Sequence, residues 1–212
     1  MFEAIYQIHK KYAPNDELLD LVWSHSRIVA NIAKQVMENH PELSIDKKLL
    51  LIGCLLHDIG VYFVELGVKL SYIKHGIIGA DIARKEGFSE SVAKIIERHI
   101  GVGISKEEIV KNLTFGQNLS AHLVRSKKNL PLPHKNFIPK TLEEKLVAYA
   151  DNFHSKNPKF NSYAQVKEKL GEYGKDTIQR LEQWKKLFGV PDLTIIEQSN
   201  IESPPSPRLR RV

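Results

Sequence analysis

The chain has 212 residues, 42% of them hydrophobic and 26% charged, so it is long and apolar enough to bury a core and is not composed like a disordered or fibrous protein. Its formal net charge of +6 would suit a polyanion, but three of the excess charges are Arg208, Arg210 and Arg211 in "PPSPRLRRV" and the rest are spread over segments of mixed sign, so nucleic acid is not the expected partner and a small anionic substrate is compatible. The apolar run from Leu49 to Leu56 is far too short to span a bilayer, "MFEAIYQIHKKYAP" lacks the features of a secretory signal, and Cys54 is the single cysteine, which together lead us to expect a cytoplasmic protein without membrane contact.

In chain order the sequence reads as helices punctuated by glycine and proline, with no strand-like alternation. Phe2 to Tyr12 is a short amphipathic helix that ends before Pro14. From Asp16 to about Asn39 the residues Leu18, Val22, Val29, Ile32 and Val36 recur with a helical period. Ser44 is placed to cap the next helix, which is expected to run to Ile59 and stop at Gly60. A helix from about Ile73 to Glu86 ends at Gly87, and another opens at Ser89 and closes by Gly101. "SKEE" at Ser105 and "TLEE" at Thr141 are capping boxes, the second opening a helix through about Ser155. Between them, Asn129 to Pro139 holds three prolines and reads as loop; the whole Gly101–Pro139 stretch either covers a pocket or is a surface excursion. A helical pair covers Ser162 to Phe188, with Leu181, Trp184 and Phe188 on one face that either packs on the bundle or meets a second copy. Beyond Gly189 and Pro191 the polar, Pro/Ser-rich composition reads as a mobile tail.

Several of these helices carry polar groups where the apolar stripe should run. His57 shares a face with Leu50 and Gly53, and Asp58 follows it. Gly53 is unfavourable in a helix by about 1 kcal/mol relative to alanine, and its missing side chain lets another helix approach near His57. His25 lies in the stripe of Val22 and Val29, and His75 shares a face with Ile78, Gly79 and Ile82. His99 follows Val92, Ile95 and Ile96 at helical spacings, and Asp151 follows Val147 by four. One such histidine is ordinarily a hydrogen-bonded core residue. Four histidines and two aspartates on five helices are different, because each buried and unsatisfied group is unfavourable by a few kcal/mol. A shared divalent cation satisfies all six together, and mixed nitrogen and oxygen donors suit Fe, Mn, Zn, Co or Ni better than Ca.

The ordered set His25, His57–Asp58, His75, His99, Asp151 resembles the HD-domain metal-dependent phosphohydrolase superfamily, and "HDIG" at 57–60 resembles its HDIG subgroup. The flanking segments "SHSRIVANIAKQV", "KHGIIGADIARKEG", "IIERHIGVGI" and "TLEEKLVAYADNF" are similar too, so the likeness covers residues 16–157. It implies an all-α helical bundle with a central metal site. It further implies one domain over 1–190, made of that core and C-terminal helices at 162–188, followed by the tail 191–212. In the simplest members the positions of His25, His57, Asp58 and Asp151 hold one metal. Members that also carry the positions of His75 and His99 hold two, bridged by the aspartate of the HD pair. A dinuclear site of Fe, Mn, Co, Ni or Zn is therefore expected, with Mg also compatible. The superfamily includes nucleotidases, dinucleoside polyphosphate hydrolases and cyclic-nucleotide phosphodiesterases, and the same ligand set occurs in HD-type di-iron oxygenases.

The implied reaction is hydrolysis of a nucleotide or similar small phosphorylated substrate, with His57 and Asp58 as the catalytic pair and a metal-activated water as nucleophile. One departure stands out. Many HDIG members continue with a cation, whereas Val61 follows here and "VYFVEL" is apolar, which weakens an analogy to cyclic-di-nucleotide phosphodiesterases. Candidate phosphate contacts are Lys74 and Arg98, each preceding an implied ligand, and Lys156, five residues after Asp151; Lys69 is a further substitute cation. His154 is one turn beyond Asp151 and can reach the rim of the site, while His9, His40, His122 and His134 are expected on the surface.

Overall fold

The computed structural model describes residues 1–65, 69–109, 136–155 and 159–202. The architecture is all-α, as the sequence implies. Helices α1 (Phe2–Tyr12), α2 (Asp16–Asn39) and α3 (Lys47–Leu56) lead into a 3₁₀ turn, η1 (Ile59–Phe63), and then α4 (Lys69–Lys85) and α5 (Glu90–Arg98). Helix α6 (Leu142–Asp151) follows, then the two-residue strands β1 (His154–Ser155) and β2 (Lys159–Phe160), and finally α7 (Tyr163–Gly171), α8 (Lys175–Phe188) and α9 (Leu193–Glu202). Strands β1 and β2 pair antiparallel, with His154 opposite Phe160.

Most caps act as the sequence suggests. Ser89 accepts from the Val92 N–H, Thr141 from the Glu144 N–H, and Ser105 and Glu108 form a reciprocal capping box. At Thr141 the box is half-formed, because the Glu144 carboxylate turns instead to the Lys140 N–H and to Arg98. Four expectations are corrected. The cap of α3 is Asp46 rather than Ser44, its side chain accepting from the Leu49 N–H while its own N–H donates to Glu143. Helix α3 ends at Leu56 rather than Ile59, and α6 ends at Asp151 rather than near Ser155. Residues Leu193–Glu202, read as the start of the tail, form α9, because Asp192 accepts from the Thr194 N–H and Ile196, 5% exposed, packs into the core.

Helix α3 is the axis of the fold. Leu50, Cys54, Leu55 and Leu56 are fully buried, and α2, α5 and α6 pack around it. Gly53 permits this: a β-carbon there would stand 2.7 Å from Ile95 Cγ2 of α5. Gly60 plays a different part from the helix stop expected of it. It lies inside η1, and a β-carbon there would run into the carbonyl oxygen of His75. The glycine after the His–Asp pair is therefore the point at which the backbone of α4 is brought against η1.

The C-terminal helices close the other side. Leu181, Trp184 and Phe188 are buried, so that face packs on the bundle. Arg180 donates to the Val102 and Gly103 carbonyls and to both oxygens of buried Glu108, which also accepts from Thr177 Oγ1 at 2.9 Å. No helix among the described residues is long and apolar enough to cross a membrane.

Candidate metal centre

The side chains that interrupt the apolar stripes meet at the centre of the bundle. His25 projects from the middle of α2, His57 is the C-cap of α3, and His99 is the C-cap of α5. Asp151 is the last residue of α6. Between α3 and η1, Asp58 leaves helical geometry (φ −99°, ψ 8°), and this turns its carboxylate into the cluster. His25, His57, Asp58, His75 and His99 are all at most 4% exposed.

Asp58 stands between two groups of imidazoles. Its Oδ2 lies 3.4 Å from His25 Nε2 and 3.4 Å from His57 Nε2. Its Oδ1 lies 3.4 Å from His75 Nε2 and 3.7 Å from His99 Nε2. Asp151 Oδ1 joins the first group, 2.8 Å from His25 Nε2 and 3.3 Å from His57 Nε2. The ring nitrogens also crowd one another: His25 and His57 Nε2 are 3.3 Å apart, His75 and His99 Nε2 2.9 Å.

The backbone sets the tautomers. The Nδ1–H of His57 donates to the Cys54 carbonyl at 2.7 Å, and that of His99 donates to the Ile96 carbonyl at 2.7 Å. The inward Nε2 atom of each neutral ring then carries a lone pair. Lone pairs and carboxylate oxygens facing one another in a buried space call for positive charge between them. Burial opposes charge on His57, but Asp58 and Asp151 outweigh it and raise its pKa above the usual histidine value. Burial likewise opposes charge on Asp151, yet the adjoining His25 and His57 imidazoles hold its carboxyl well below the usual carboxylate range.

The donor set fits a divalent transition ion. His25–His57–Asp58, Asp58–His75–His99 and the overlapping trio His57–His99–Asp151 each present ligand atoms within 4.8 Å of one another. Ligands at about 2.0–2.2 Å from a common ion stand no more than about twice that apart, and the separations of 2.8 to 3.7 Å within the cluster already lie inside that limit.

The other anticipated residues fall differently. Lys74 is exposed on α4. Arg98 is turned to Glu144, its Nη1 donating to both carboxylate oxygens at 3.0 and 2.9 Å. Lys156 lies outside the described residues, as do His122, His134, most of the Gly101–Pro139 stretch and the end of the tail. His154 is not at the rim: it is 6% exposed, with Nδ1 2.9 Å from His25 Nδ1. His9, expected on the surface, is fully buried, its Nε2–H donating to the Leu55 carbonyl and its Nδ1 accepting from the Tyr62 hydroxyl, both at 2.8 Å. Its spacing of four from buried Ile5 was the available signal.

Comparison with known proteins places this arrangement. The HD domain family model matches residues 22–156. A tRNA (cytidine(56)-2'-O)-methyltransferase of Thermoplasma volcanium is 37% identical over 142 residues, 67% of this chain and 33% of that protein. A methyltransferase of the same description from Picrophilus torridus is 35% identical over 133 residues, 63% of this chain and 31% of its own. An uncharacterised protein of Methanocaldococcus jannaschii is 43% identical over 108 residues, 51% of this chain and 50% of that one. The chain thus spans from 31% to 50% of the length of these relatives. Among solved structures, the HD domain of the L. monocytogenes phosphodiesterase PgpH in complex with cyclic-di-AMP aligns with a TM-score of 0.48 at 18% identity, over 93% of this chain and 92% of that one.

Proposed function

The chain belongs to the HD domain family, and we propose that it is a metal-dependent phosphohydrolase of the HDIG subgroup that cleaves a phosphoester or phosphoanhydride of a nucleotide or similar small phosphorylated substrate. The observation that carries this reading is the position of Asp58, whose two oxygens face different pairs of imidazoles. A carboxylate so placed suits two cations side by side, with His25, His57 and Asp151 on one and His75 and His99 on the other. Bound divalent ions supply a water of lowered pKa as nucleophile and neutralise charge on the phosphoryl oxygens. The protein's part is to hold the donors. The Cys54 and Ile96 carbonyls fix the rings of His57 and His99, and the cluster they join is buried. Lys74 and Lys156 are the proposed phosphate contacts; Arg98 serves first to hold Glu144.

In this reading the bundle, with α9 packed on it, acts as one domain in the cytoplasm, extending past the boundary at 190 that the sequence suggested. The two methyltransferase relatives favour a second reading of the substrate, in which the phosphate is carried on RNA or on a nucleotide derived from it.

The test is metal analysis of the purified protein together with a phosphate-release screen. The screen covers nucleoside mono-, di- and triphosphates, cyclic and linear dinucleotides, dinucleoside polyphosphates and tRNA fragments, with Mn, Fe, Co or Ni added. About two ions per chain and phosphate release are expected, and His99→Ala is expected to lower the count toward one. Oxygen uptake with ferrous iron and no phosphate release would instead identify an HD-type di-iron oxygenase.

A further inference from the structure

His154 lies behind the cluster rather than in it. Its position is built: Asn152 Nδ2 donates to the Gly101 and Ala148 carbonyls, Asn161 N–H donates to the Phe153 carbonyl, and Asn161 Nδ2 donates to the Asn152 carbonyl. These bonds pin the turn after Asp151. The β1–β2 pair then sets Phe160 across from His154, the two rings meeting at 5.2 Å and 63°. The His154 ring lies edge to edge with that of His25 and nearly coplanar with it, the centroids 5.2 Å apart, the planes inclined by 24° and the two Nδ1 atoms 2.9 Å apart.

His25 differs from His57 and His99 in one respect. Those two donate Nδ1–H to carbonyls of their own helices, which leaves Nε2 free to ligate. The partner at His25 Nδ1 is His154. On its other side, His25 Nε2 faces Asp151 Oδ1 at 2.8 Å and Asp58 Oδ2 at 3.4 Å, acceptors that favour a proton on Nε2. For Nε2 to ligate a cation, the proton must reside on Nδ1, and a hydrogen bond from there needs an acceptor.

We propose that His154 is a positioning residue: its Nδ1 accepts the Nδ1–H of His25, holds that ring in the tautomer that ligates through Nε2, and so supports the ion of the His25–His57–Asp151 side but not that of the His75–His99 side. The inference rests on the metal reading above and adds an asymmetry to it. Groups hydrogen-bonded to a ligating histidine typically change metal affinity by about 10–100-fold.

The test compares His154→Leu, which removes the acceptor, with His154→Asn, whose amide oxygen can take the place of Nδ1. Calorimetric titration with Mn²⁺ or Co²⁺ is expected to show one of two ions weakened about 10–100-fold in His154→Leu, the other unchanged, and most of the loss recovered in His154→Asn. Independently, ¹⁵N shifts of His25 in metal-free protein are expected to show a protonated Nδ1 in wild type and His154→Asn, and a shift toward the Nε2–H form in His154→Leu. Equal weakening of both ions, no weakening, or an asparagine variant no better than leucine overturns the proposal. A wild-type protein that binds no ion overturns the metal reading itself, and the ¹⁵N shifts still decide whether His154 sets the tautomer of His25.

Discussion

Two buried polar clusters in this molecule are built on opposite principles. At the C-terminal side, Glu108 receives the Ser105 N–H, the Thr177 hydroxyl and the Arg180 guanidinium. Burial alone would raise its pKa, but these donors win and lower it. The carboxylate is answered by the protein's own cation. At the centre, Asp58 and Asp151 face imidazoles whose orientation is dictated by other bonds, and the inward atoms are mostly acceptors. One cluster is complete as a covalent chain; the other has the donors to hold a cation.

The sharpest break is Asp58→Asn. It removes the carboxylate that both groups of imidazoles face, so metal content should fall for both ions and turnover by about 10³-fold, the upper range for losing one preorganised electrostatic group. Elemental analysis beside a phosphate-release assay checks this. Arg180→Leu should do the reverse. It leaves Glu108 buried without its cation and should destabilise the fold by about 3 kcal/mol in urea titrations, with metal content unchanged. Replacing Glu108 and Arg180 together by apolar residues should recover much of that loss.

A third group, His9, sharpens the contrast because it is complete while neutral. Burial lowers its pKa to about 4 against the 6.5 of an unstructured histidine. Between those values the unfolded chain binds the proton and the folded chain does not, so stability is lost as pH falls through that window. From about pH 7.5 to about pH 4.5 the loss assigned to His9 is about 2.5 kcal/mol. His9→Phe should remove this part of the pH dependence, although it lowers stability at neutral pH by stranding the Tyr62 hydroxyl and the Leu55 carbonyl. Denaturant titrations of both proteins at the two pH values measure the difference.

The convergence at the centre was legible because it violates a pattern. His25, His75 and His99 sit at spacings that apolar residues should occupy, and a hydrophobic stripe makes such exceptions visible. Gly53 was legible for the same reason, an unfavourable residue in an otherwise strong helix. What could not be read depends on contacts between distant segments. Nothing near Arg98 announces Glu144, 46 positions on, and nothing near Glu108 announces Arg180. Gly60 was misread as a helix stop because local rules know glycine as a terminator, whereas its neighbour here is the His75 carbonyl from another helix. Residues 193–202 were misread from composition, which is silent on Asp192 as a cap and Ile196 as an anchor for α9.

His57 and His99 each end a helix, and each ring is tied to a carbonyl three residues back in that same helix. In the proposed metal site, grip on a cation and integrity of the last turn would thus be one event. Fraying of α3 or α5 by a single turn would swing an imidazole out of reach, and a captured ion would in turn suppress that fraying. Amide exchange at the ends of these two helices should therefore slow on ion loading well before the rest of the bundle responds, making the helix tips a gauge of occupancy.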